Sequence, residues 1–124
     1  GAHNQKEKLT SLKNTSKNVT IIAGEIKLNQ LFSYFVHAKV FIGLDSGLSH
    51  LAIKANERNI ILVGGGSYGM YFPIPDDKAT IYLKNRLPCF GCDWKCKHKK
   101  NLCLFDISVS EVVKRVDELI ALRK

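Results

Sequence analysis

Residues 41–52 read Phe41-Ile42-Gly43-Leu44-Asp45-Ser46-Gly47-Leu48-Ser49-His50-Leu51-Ala52. Val40, Phe41 and Ile42 make the β-branched and aromatic run of a buried strand. Asp45 and Ser46 are residue types that cap helix N-termini, and Leu48, Leu51, Ala52 and Ala55 recur at helical spacing. The stretch therefore predicts strand, tight polar turn and helix. A helix that starts at the carboxyl end of a parallel strand offers unpaired N–H groups and the positive end of its dipole to an anion. An ordinary helix cap needs the same residue types, so the turn alone leaves both readings open.

Working outward, the same alternation continues on both sides. Residues 5–13 predict a helix, Val19 to Ala23 a buried strand ending at Gly24, and Leu28, Leu31, Phe32 and Phe35 an amphipathic helix over Leu28 to Ala38. Lys39 to Gly43 and Ile60 to Val63 predict strands, with a helix over Leu48 to Asn56 between them and a short strand over Thr80 to Leu83. Ser108 and Glu111 fit a capping box, and Val109, Val112, Val113, Val116, Leu119 and Ile120 form the apolar face of a closing helix. Strands alternating with helices imply an α/β fold with a parallel sheet flanked by helices.

The run Asp45-Ser-Gly-Leu-Ser-His-Leu-Ala52 also resembles a family signature. It is similar to Asp-(Ser or Thr)-Gly-x-x-His-Leu-Ala of the C-terminal, donor-binding domain of the family 9 glycosyltransferases, the ADP-heptose:lipopolysaccharide heptosyltransferases. Asn18 to Gly24, Leu28 to Ala38 and Lys39 to Gly43 follow that family's order of elements, and the stretch 87–107 resembles a cysteine-bearing loop of some members. The resemblance covers about residues 18–120.

It implies a Rossmann-like domain forming the C-terminal half of a GT-B enzyme. Residues 1–124 would then be a partial C-terminal nucleotide-sugar-binding domain, starting after that domain's first strand, with the N-terminal acceptor domain absent. It further implies an ADP-heptose-like donor and a lipopolysaccharide core acceptor reached through the other domain. The implied place is the cytoplasm at the inner face of the inner membrane, with peripheral membrane association. The family's catalytic base lies in the N-terminal domain, so no catalytic residue is expected here, and no cofactor is required for transfer. Carried onto this sequence, the donor site is Asp45, Ser46, Gly47, Leu48 and His50. Asp45 is expected to order the turn or accept from a sugar hydroxyl, because a carboxylate repels phosphate. Gln5 stands where members often carry an acidic residue for the donor ribose; its carbonyl can still accept, without the charge.

A chain of 124 residues with 45% hydrophobic residues fits one domain with a real core, and no apolar run is long enough to span a membrane. No signal-peptide pattern opens it, so secretion is not expected. The formal charge of +8 suits an anionic partner, although charged faces commonly serve solubility alone. No aromatic or helical recognition pattern points to nucleic acid.

Gly64-Gly65-Gly66-Ser67-Tyr68-Gly69 is a literal G-x-G-x-x-G after a strand. A dinucleotide fingerprint needs a helix next, and Tyr71-Phe72-Pro73-Ile74-Pro75 is hostile to one, so the loop is expected to line the donor pocket or simply to leave the strand. Cys89, Cys92, Cys96 and Cys103 form C-x2-C-x3-C-x6-C, a candidate structural zinc site with His98 as substitute ligand; free thiols are the competing reading and disulfides the weaker one. The loop is expected to be structural and to lie away from the strand end that holds Asp45. The competing function, resting on the cysteines and the charge, is a small zinc-stabilised basic module that binds nucleic acid or a protein partner.

Overall fold

The computed structural model describes residues 6–13 and 16–122. The chain forms two compact units, Gly1–Tyr34 and Phe35–Lys124. In order the elements are α1 (Lys6–Lys13), α2 (Leu28–His37), β1 (Phe41–Leu44), α3 (Gly47–Ala55), β2 (Asn59–Leu62), β3 (Thr80–Leu83), α4 (Leu102–Phe105) and α5 (Val109–Ala121).

The larger unit carries the sheet. Its three strands run parallel in the order β1-β2-β3, with Ile42 opposite Ile60 and Ile60 opposite Ile81. Parallel strands need covered faces, and the register sorts the side chains accordingly. Ile60 and Leu83 pack with Leu119, Val112 and Val116 of α5 on one face. Ile61, Val63 and Phe72 pack with Phe41, Ile53 of α3 and Tyr82 on the other. The result is the three-layer α/β arrangement that the alternating pattern predicts.

The closing helix starts where its cap places it: Ser108 Oγ accepts from the Glu111 amide at 3.2 Å. The reciprocal half of the capping box is not formed, since the Glu111 carboxylate accepts from Arg115 Nε at 2.9 Å instead. At the opposite end of the sheet, Asn56 donates to the carbonyls of Phe35 (2.9 Å) and Ala38 (2.8 Å), closing the connection from α2 to β1.

One predicted element is absent. Val19 to Ala23 forms no strand; the segment is held by turn bonds, Val19 N to Ser16 O at 3.3 Å and Glu25 N to Ile22 O at 3.1 Å. A strand exists only through a ladder with a neighbour, and among the described residues none pairs with this segment. β1 is thus an edge strand, and its Ile42 and Leu44 remain 48% and 55% exposed on the face that α5 covers farther along the sheet.

Candidate functional site

β1 brings the chain to the carboxyl edge of the sheet, and α3 begins after two intervening residues. Ser46 sits at the N-cap in extended backbone (φ −143°, ψ 166°), and its carbonyl accepts from the amides of Ser49 (3.0 Å) and His50 (3.4 Å). Its hydroxyl makes no capping bond. The amides of Gly47 and Leu48 belong to the first turn, where no carbonyl lies one turn back to receive them. Ser46 and Gly47 are exposed and Leu48 is half-buried. The ordinary side-chain cap, the competing reading of this turn, is therefore not what the structure shows.

Two side chains hold the turn in place. Ser49, fully buried, donates its hydroxyl to the Leu44 carbonyl, pinning the first turn of α3 to the end of β1. Gly43 makes room for this, because a Cβ there would lie 2.7 Å from both Ser49 Oγ and the Phe41 ring. Asp45 Oδ2 accepts from the Gly64 amide at 3.2 Å, which ties the exit of β1 to the exit of β2. Burial pushes its carboxyl pKa up, and the Gly64 bond draws it part of the way back.

His50 is half-buried one turn into α3. Its imidazole stacks on the Phe72 ring, centroids 4.3 Å apart and planes 23° apart. No sequence pattern singles out Phe72, which lies 22 positions further along the chain. Gln5 lies outside the described residues.

The glycine loop is closely covered, and as expected from the prolines it opens no helix. Gly64, Gly65 and Gly66 are buried, and no helix follows them. A Cβ at Gly64 or Gly66 would come within 2.5 Å or 2.3 Å of the Trp94 ring, and one at Gly65 within 2.6 Å of Phe90. The backbone is bound as well: Gly91 N donates to Gly65 O at 2.7 Å, Asp93 N to Gly66 O at 3.0 Å, and Gly65 N to Cys103 Sγ at 3.4 Å. The three glycines are a seat for the cysteine loop. The cysteine loop also does not lie away from Asp45, since Asp45 binds Gly64 and Cys103 binds the next residue. Three small residues in a row are the sequence signal for such a close approach, but they do not name the rings that make it.

Cys89, Cys92, Cys96 and Cys103 line one small pocket together with Trp94 and His98. All four are free thiols. Among the described residues no three His, Cys, Asp or Glu side chains stand together in a metal-holding arrangement. The short α4 lies inside this loop and was not foreseen from the sequence. At the same edge of the sheet Lys84, the residue after β3, donates to the Tyr68 hydroxyl at 2.5 Å and lies 4.9 Å from its ring centroid.

Among the described residues no helix is long and apolar enough to cross a membrane. Comparison with the curated proteins and with the solved structures found no match. A family model does match, over residues 1–100, and its description is glycosyltransferase family 9 (heptosyltransferase). The Asp45-to-Ala52 signature falls inside that match, on the strand, turn and helix just described, and the chain belongs to glycosyltransferase family 9.

Proposed function

We propose that this chain is the donor-binding, C-terminal part of a GT-B glycosyltransferase that takes ADP-heptose and serves lipopolysaccharide core synthesis at the cytoplasmic face of the inner membrane. Family membership supports glycosyl transfer in general. The observation that carries donor binding is the start of α3: Ser46 and Gly47 exposed at the carboxyl edge of a parallel sheet, with the Asp45 carboxylate bonded to the Gly64 amide. An anion placed there meets backbone donors.

On this reading the amides of Gly47 and Leu48 face the donor diphosphate, and His50 adds a side-chain donor from the next turn. As the bond from the sugar to the diphosphate breaks, negative charge grows on the leaving oxygen. Donors already aimed at it stabilise that charge without reorganising. The sugar acceptor and the base that deprotonates it belong to the other domain of the enzyme.

His50→Ala removes one hydrogen bond to a charged group, worth ~1.5–3 kcal/mol. ADP affinity, measured by calorimetry, should fall roughly ten- to hundredfold. Amide shifts on ADP addition should centre on residues 45–50. Unmoved amides there, with shifts caused by a single-stranded oligonucleotide instead, would favour the basic-module reading.

The cysteine loop is proposed as a structural zinc site using Cys89, Cys92, Cys96 and Cys103. Support comes from the single pocket they share with His98; the thiols need side-chain rotation to converge, since they do not do so as they stand. Bound-metal analysis should find one zinc per chain. Replacing Cys92 and Cys96 by Ser should release it and lower Tm more than it lowers ADP affinity. A metal-free protein of full stability would remove zinc from the account.

A further inference from the structure

Phe72 is 2% exposed and is built into the core with Ile61, Val63 and Tyr82. The loop from β2 to β3 carries it there and is closed on itself: Gly69 N donates to Phe72 O at 2.8 Å, Ile74 N to the Tyr82 hydroxyl at 3.3 Å, and that hydroxyl to Asp77 Oδ2 at 2.7 Å. Tyr82 itself stands in β3, its ring 6.2 Å from that of Phe72. Phe72 is thus a fixed surface, and among the described residues the ring stacked on it is the His50 imidazole.

We infer that Phe72 is the positioning residue for His50, setting the plane in which the imidazole presents its N–H to the donor diphosphate. An imidazole one turn into a helix can otherwise swing about two torsions. Stacking at 4.3 Å and 23° restricts the second of these to two settings half a turn apart and leaves the ring edge, which carries the nitrogens, as the polar rim of the aromatic pair. The continuation of the glycine loop thereby serves the site by delivering Phe72. The inference rests on the donor-site reading, and it separates from that reading experimentally.

The test is a double-mutant cycle on the full chain, with ADP as the probe. Phe72→Leu keeps an apolar group but loses the flat ring, and ADP affinity should drop about two- to tenfold. In a His50→Ala background the same change should do nothing further, because there is no imidazole left to place. A core residue with no positioning role would instead act equally in both backgrounds, or leave affinity untouched, and either result overturns the inference. If His50→Ala itself leaves ADP affinity unchanged, the donor-site reading fails first. An independent measurement needs no ligand: wild-type protein should show nuclear Overhauser effects between the His50 and Phe72 rings and upfield-shifted His50 ring protons. Phe72→Leu, or Phe72→Met should the leucine variant not fold, should move those protons back downfield. Missing ring-to-ring effects in the wild type would also overturn the proposal.

Discussion

A Cβ built at Gly47 meets no atom within 4 Å, although this residue opens α3. On the proposed donor-site reading, fold and ligand make opposite demands here. Helix propensity favours a side chain at the position, by up to ~1 kcal/mol for Ala over Gly. A diphosphate lying against the first-turn amides needs the space left empty. Gly47→Val should leave thermal stability within ~1 kcal/mol of the wild type while ADP affinity falls tenfold or more, about 1.4 kcal/mol or above. A variant that still binds ADP fully would place the phosphate elsewhere. Residue types were readable in this turn, but their partners were not. Asp45 and Ser46 look like two candidate caps, and the structure uses neither side chain as a cap: one tethers Gly64 and the other stands exposed.

The element that most repays attention is the seat formed by Gly64 to Gly66 under the cysteine loop. Trp94 covers two of its three residues, so a methyl group at Gly66 has nowhere to go without moving the indole. Gly66→Ala should cost ~1–3 kcal/mol by overpacking, measured by chemical denaturation. Trp94→Leu should recover a large part of that loss when the two are combined, because it removes the atoms that clash. Additive losses would mean that the seat is not formed by this ring. The glycine pattern announces only that some backbone or ring approaches closely. Which one depends on a segment nearly 30 residues downstream, and no local rule reaches that far.

At the scale of the molecule, the link between Asp77 and Tyr82 should appear in acid stability. Burial pushes the Asp77 carboxyl up, but hydrogen bonds from Tyr82, Thr80 and Ala79 outweigh it and hold the pKa below its ordinary 3.8. Burial, and then the bond to Asp77, push the Tyr82 hydroxyl up to about 12. A depressed carboxylate adds stability above its unfolded pKa and loses it as pH falls through the folded value. Tyr82→Phe removes one of the donors, so the stability gap between wild type and variant should be full near neutrality and narrow below pH 3.8. Asp45, whose pKa is raised, contributes in the opposite sense, which is why the comparison is made between variants and not read from one acid curve. A gap that stays constant from pH 7 to pH 2 would show that the pair does not titrate with folding.

Local order was determined by the sequence alone. The 3.6-residue stripe over Leu28 to Ala38, the strand runs ending at residues 43, 63 and 83, and Ser108 before its amphipathic helix each carry their signal within a dozen residues, and α2, β1, α3, β2, β3 and α5 follow them to within a residue or two. The signature at 45–52 determined the family in the same way, because its spacing is short and its residue types are restrictive. Tertiary structure alone decided the rest. Val19 to Ala23 has strand composition but no ladder, since pairing is a property of two segments and composition a property of one. The Asp45 bond to Gly64, the Gly65 bond to Cys103 and the His50 stack on Phe72 join residues 19, 38 and 22 positions apart. Periodicity is written along the chain, whereas these contacts exist only once the sheet has brought its loops to a common edge.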